Sequence, residues 1–225
     1  MSESAELFAP WVSFPVAGQP RPVIFLDGRV RIGAGGFTDG DAKVAFLNGA
    51  VDAKVPLPHT VLDLLRKDRS TTPPRLVITA VHRVRADFLT DRGPRPLPAY
   101  ELHTSGTRQP IHVLDPDTEI WWPRTPAASR PGNDGATIDD DDRTVHVLVV
   151  GSVLTEFLGC EFDESPFAVI ARPITHERLV GPEEAIPAVG VGRTVTGRLT
   201  EPLGGRVMLD TRGTPMMVTR TSLPR

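Results

Sequence analysis

Six histidines, His59, His82, His103, His112, His146 and His176, are the side chains best suited to proton transfer near neutral pH. None stands in an H-E-x-x-H pattern or a Cys/His zinc spacing. His103 and His112 flank Ser105-Gly106-Thr107-Arg108, a turn-like stretch. If the segments on either side pair as strands, both rings reach one face, with Asp115 or Glu101 as a carboxylate partner. Such a trio suits metal binding or acid–base catalysis. With the metal spacing missing, the plainer expectation is that these rings point to solvent or donate to backbone carbonyls.

The single cysteine, Cys160, lies among Glu156, Glu161, Asp163 and Glu164. A reactive thiolate needs positive neighbours, and these carboxylates raise its pKa instead. His176 would activate it only if the fold brought the ring alongside, so an inert thiol is expected. Gly33-Ala34-Gly35-Gly36 lacks the spacing of a dinucleotide fingerprint and the Gly-Lys-Ser/Thr of a P-loop, and reads as a tight connection. Ser105 and Ser152 sit in no G-x-S-x-G elbow. The acidic run Asp139 to Asp142, with Asn133-Asp134-Gly135 before it, misses the alternating order of a calcium loop and reads as a hairpin turn. Neither metal nor cofactor is expected.

The aromatics Trp11, Phe14, Trp121 and Trp122, with Phe8, stand beside prolines in loop-like sequence. Aromatics so placed serve as binding anchors, or as plugs between a Pro-rich arm and a sheet.

These residues sit in a chain of 225 residues with 20 glycines and 23 prolines, so many turns and short elements are expected. Up to Pro126 there are 15 basic and 14 acidic residues, and 10 and 14 beyond it, for a net charge of −3. Neither part has the basic surplus that phosphate neutralisation demands, so nucleic acid is not an expected partner. One cysteine allows no intrachain disulfide. No apolar run reaches the ~18 residues of a membrane helix, and the start, Met1 to Phe8, is acidic and lacks an apolar h-region. A cytoplasmic protein without membrane contact is the expectation.

Residues 1–22 read as an extended arm. Val23 to Leu26 and Val30 to Ile32 read as a hairpin around Asp27-Gly28, and Lys43 to Leu47 as a strand ending at Asn48-Gly49. One short helix is expected near 60–69, capped by Thr60 with Asp63 three positions on, and stopped by Thr72-Pro73-Pro74. Arg75 to Phe88 alternates as a strand, and 90–98 reads as a turn-rich connection. Tyr100 to His103 and Ile111 to Leu114 read as paired strands. Further strands fall at Thr144 to Val150, Phe167 to Ala171, Arg193 to Leu199, Leu203 to Asp210 and Met216 to Val218. The Pro/Gly/Ser/Asn-rich stretch 124–136 reads as a linker between a β-rich module at 1–123 and another at 137–225. The fold class is mainly β, as antiparallel sandwich or barrel-like sheets with one short helix.

Three stretches, Gly36-Phe37 through Asn48-Gly49, Thr90-Asp91-Arg92-Gly93 with Leu97-Pro98-Ala99, and Glu201 to Asp210, lie in an order that resembles a broad group of uncharacterised actinobacterial proteins, many of them exported. They cover about a third of the chain. The resemblance implies a β-rich body with a small helix and carries no activity. Members of that group often have a leader and a cysteine pair in the second module, whereas Cys160 stands alone here.

The favoured functional expectation is a non-catalytic protein that binds a protein or small molecule through loops and the aromatics Trp11, Phe14, Trp121 and Trp122. One rival is a small β-barrel-type enzyme, a hydrolase or cyclase, with a His103/His112/Asp115 or Cys160/His176 site. Another is a structural subunit of a larger assembly.

Overall fold

The computed structural model describes residues 3–66, 75–121, 135–178 and 190–221. It is mainly β, with 49% strand and 13% helix. The chain divides into two compact units. Unit 1 gathers Met1–Leu26, Leu89–Gly93 and Ile120–Arg225; unit 2 holds Asp27–Phe88 and Pro94–Glu119. The N-terminal segment therefore clusters with the C-terminal half, which a linear division at the 124–136 stretch does not convey. Of that stretch only Gly135 and Ala136 are described, and they begin a strand.

Unit 1 opens with helix α1 (Glu3–Phe8) and a 3-10 turn (Ala9–Trp11), where an extended arm was expected. Its start is pinned by Ser4, whose hydroxyl donates to Asp163 at 2.6 Å, while Arg172 donates to the same carboxylate at 2.6 Å. The driving force is burial: Trp11 and Phe14 pack with Ile24, Leu26, Ile170, Val207 and Leu209. Two short strands, β1 (Val23–Ile24) and β7 (Ile120–Trp121), pair in parallel beside them. Val23 to Leu26 therefore forms no hairpin with Val30 to Ile32.

The rest of unit 1 is two sheets. One runs β10 (Thr155–Glu164), β11 (Ala168–Glu177), β13 (Val207–Leu209); the other runs β12 (Val191–Arg198), β9 (Thr144–Gly151), β8 (Gly135–Ile138), β14 (Met217–Arg220). The pairs β11/β13 and β8/β14 are parallel, so the sheets are mixed, not purely antiparallel. Val145, Val147, Val169, Ala171, Val195, Met208 and Val218 alternate inward and share one core. Arg21 ties the arm down, donating to the Gly205 carbonyl at 2.8 Å and bidentately to Asp91 at 2.6 and 3.2 Å.

Unit 2 is a five-stranded sheet in the order β2 (Val30–Ile32), β6 (Ile111–Leu114), β5 (Gly93–Thr104), β4 (Leu76–Thr90), β3 (Val51–Ala53). The expected pairing of Tyr100–His103 with Ile111–Leu114 is present. The expected loop at 90–98 is not: β5 already starts at Gly93. Its prolines at 94, 96 and 98 fall before Ala99, where pairing to β6 begins, so their missing N–H groups cost no ladder bond on that side.

Among the described residues there are three α-helices, not one. The expected strand at 43–47 is helix α2 (Gly40–Leu47), packed through Ala42 and Ala45. Asp39 caps it by accepting from the Ala42 N–H at 2.8 Å, and Gly49 ends it at φ 68°, the left-handed turn that follows many helices. Helix α3 (His59–Leu65) buries Val61 and Leu65, starts after Pro58 without a side-chain cap, and gives way at Arg66. Thr60 is thus inside the helix and is no cap; the expected extension to 69 lies outside the described residues.

Candidate functional site

The sheet of unit 2 brings one trio together. Glu101 faces His112 across the β5/β6 ladder, and His103 follows two residues on, so all three side chains share one face. Leu102 and Ile111 are buried on the opposite face and make the platform rigid. Glu101 Oε1 lies 3.0 Å from His103 Nε2, and Oε2 lies 3.3 Å from His112 Nε2. The His82 ring meets His103 edge-on at 5.4 Å. The His103 bond first, then the His112 bond, holds the Glu101 carboxyl below its usual range. A carboxylate that engages both Nε2 atoms selects the Nε2–H tautomer of each neutral ring and leaves Nδ1 as its basic atom. Among the described residues, no group of three or more His, Cys, Asp or Glu is arranged to hold a metal ion.

Asp115 does not join the trio. Its carboxylate accepts from the Asp117 N–H at 3.1 Å and closes the turn after β6. Cys160 and His176 are also kept apart: the ladder pairs Cys160 with Pro173 and His176 with Glu156. Cys160 belongs to the unit 1 core, and burial, more than the charge of Glu161, pushes its thiol up to about 11. The cause therefore differs from the ring of carboxylates that the sequence suggests.

The aromatics take structural places. Trp11 is 0% and Phe14 2% exposed, so neither can anchor a partner on the surface. Trp121 packs edge-on against Phe14 at 5.4 Å, half-buried, and Trp122 lies outside the described residues. The glycine stretch at 33–36 is a tight turn, closed by the Gly36 N–H donating to the Gly33 carbonyl. The acidic run is the β8/β9 hairpin turn. Asp141 accepts from the Thr144 N–H and then the Arg143 N–H, and these bonds drive its pKa far down.

A cleft of about 680 Å³ in unit 1 has no counterpart in the motif reading. It is lined by Val153 to Phe157, His176, Arg178, Arg193 and Thr194. Among the described residues β10 and β12 are the end strands of their sheets, and they come into contact where Cys160 passes Gly197. A Cβ at position 197 would stand 2.1 Å from the Cys160 carbonyl oxygen. Towards Phe157 and Arg193 the cleft opens. A bulge between Phe157 and Gly159 bends β10 at its edge. Of the eight large apolar side chains left exposed among the described residues, Val153 lines this opening, and Leu148, Val150, Leu158 and Ile174 stand on β9, β10 and β11 of the same unit. Leu148 pairs with Thr194, Val150 with Gly192, and Ile174 with Gly159. The signal for it in the sequence is weak: Leu148 and Val150 stand at the outward positions of β9, where polar side chains are the rule.

No protein-family model, curated protein or solved structure matches this chain.

Proposed function

We propose that this chain is a non-catalytic binding protein whose ligand enters the unit 1 cleft. The observation that supports it is the roughly 680 Å³ opening lined by Val153, Leu154 and Phe157, in a unit that also exposes Leu148, Val150, Leu158 and Ile174. Arg193, Thr194 and Glu156 on the walls, beside Phe157 and Val153, suit a ligand that carries both polar and apolar groups. Large apolar side chains grouped in this way mark interaction sites on soluble proteins. The single buried cysteine fits a reducing compartment, and we assign the protein to the cytoplasm on that ground. No helix among the described residues is long and apolar enough to cross a membrane. The resemblance to the actinobacterial group adds no activity to this reading.

The test is a thermal-shift screen of carboxylates, phosphates and peptides against the wild type and Arg193→Glu. Binding in the cleft raises the wild-type melting temperature and not that of the variant. Ligands that stabilise both proteins equally place the binding elsewhere and overturn the reading, as does a screen without any stabilising ligand.

A second reading is acid–base catalysis at Glu101, His103 and His112, supported by the carboxylate that engages both rings. Hydrolysis of activated esters that falls at least tenfold in His112→Ala, with the melting temperature kept, supports it. Equal rates in both proteins remove it.

A further inference from the structure

We propose that Thr196 is a covalent acylation site: its hydroxyl, activated by His146 and Asp139, accepts an acyl group from an acyl thioester. None of the three lines the cleft. The inference goes beyond the binding reading and stays compatible with it, since a single acylation requires no turnover.

Three segments bring the trio together. His146 faces Thr196 across the β9/β12 ladder and Thr137 across the β8/β9 ladder. Its neighbours Val145 and Val147 are buried in the unit 1 core, as is Val195, so His146 and Thr196 stand on the outward face of the sheet. Asp139 follows β8 directly, in the turn that leads into β9. His146 Nδ1 lies 2.8 Å from Thr196 Oγ1, and Nε2 lies 3.2 Å from Asp139 Oδ1.

The donor and acceptor roles follow from the groups themselves. An ionised carboxylate only accepts, so His146 Nε2 carries the hydrogen and donates to Asp139. Nδ1 of the neutral ring is then the acceptor, and the Thr196 hydroxyl donates to it. A hydroxyl held this way, on an imidazole oriented by a carboxylate, is an activated nucleophile. Thr137 is left out, because both ring nitrogens are taken.

The surroundings brace this geometry. Asp141 accepts from the Thr144 N–H at 2.8 Å and the Arg143 N–H at 2.9 Å, which closes the turn that carries Asp139. Arg198 of β12 donates to Asp141 at 2.7 Å and to Thr144 Oγ1 at 3.0 Å, so the strand of Thr196 is tied to the same turn. Thr196 is exposed. Leu148, at the next outward position of β9, is exposed too and offers contact to a short apolar acyl chain.

In the step, Thr196 Oγ1 bonds to the thioester carbonyl carbon and its proton passes to His146 Nδ1. The C–S bond breaks, and the departing sulfur takes that proton. The products are an acyl ester on Thr196 and a free thiol, with no change in oxidation state. The trio supplies nucleophile and base, and the thioester supplies the good leaving group.

The test incubates the full chain with the butyryl thioester of N-acetylcysteamine and follows the label by intact-protein and peptide mass spectrometry. We expect one butyryl group, on Thr196. Its rate should fall more than tenfold in Thr196→Val, His146→Gln and Asp139→Asn, and hold in Thr196→Ser and Thr137→Val. The serine variant keeps the hydroxyl, so it separates loss of chemistry from loss of fold. Asparagine at 139 offers an N–H to Nε2 and reverses the tautomer while keeping the contact. Ring-nitrogen NMR of His146 should therefore show Nε2–H in the wild type and Nδ1–H in Asp139→Asn. Label on the lysines in place of Thr196, an unchanged rate in Asp139→Asn, a wild-type ring with its hydrogen on Nδ1, or no label at all overturns the inference. None of these outcomes touches the thermal-shift comparison with Arg193→Glu, which tests the cleft alone.

Discussion

Gly197 and Cys160 cross so closely that no side chain fits at 197: a Cβ there would stand 2.1 Å from the Cys160 carbonyl oxygen and 2.7 Å from the Phe162 ring. The obstacle at 2.1 Å is backbone, which cannot rotate away. Gly197→Ala should therefore cost at least the ~1–3 kcal/mol of an overpacked core, measured by denaturant unfolding. Gly40→Ala is the comparison, since nothing lies within 4 Å of a Cβ at the start of α2. It should leave stability unchanged or slightly raised. Equal midpoints for the two variants would mean that β10 and β12 can part at little cost.

Trp11 fills the unit 1 core, whereas Val12 beside it is 57% exposed. Trp11→Ala should cost about 3–5 kcal/mol, and Val12→Ala within about 0.5 kcal/mol. Trp121 differs from both, because its buried Nε1–H finds no acceptor among the described residues. Trp121→Phe removes that orphaned donor but also part of the ring that packs on Phe14, so the two effects oppose and stability should change by less than about 1 kcal/mol. A larger drop would mean that the offset is missing, because the indole N–H is satisfied in solution or the ring packs more tightly than its half-burial implies.

Asp163 is held below its ordinary value of 3.8, first by the Ser4 hydroxyl and then by Arg172. Its folded pKa is depressed, so its contribution is present above pH 3.8 and is lost as pH falls through the lower folded value. The melting-temperature gap between wild type and Asp163→Asn should be open at neutral pH and close at acid pH. A gap independent of pH would remove the charge from the α1 anchor.

Burial pushes the Cys160 thiol up to about 11. At pH 8 the folded protein should alkylate far more slowly than a free thiol, and denaturant should restore the ordinary rate. Fast labelling of the native state, followed by mass spectrometry, would contradict the burial.

Local pattern carried much of this protein into view. Alternation placed β4, β6 and β9, and the turn between Tyr100–His103 and Ile111–Leu114 announced the ladder that sets Glu101 against His112. These are contacts between chain neighbours, and a period of two is enough to predict which side chains share a face. Helix α2 was legible in principle, from Asp39 and Gly49, but an apolar run this short does not distinguish strand from helix.

What the sequence by itself determined is therefore the β class, the short-range pairings and the few residues able to do chemistry. The tertiary structure alone decided which edges were left facing each other. The burial of Trp11 and Phe14 depends on Ile170 and Leu209, far along the chain. The unit 1 cleft draws its lining from β10, β11 and β12, brought together from separate parts of the chain. Backbone N–H and C=O groups are the same at every residue, so no side-chain motif records whether they face a partner or an opening.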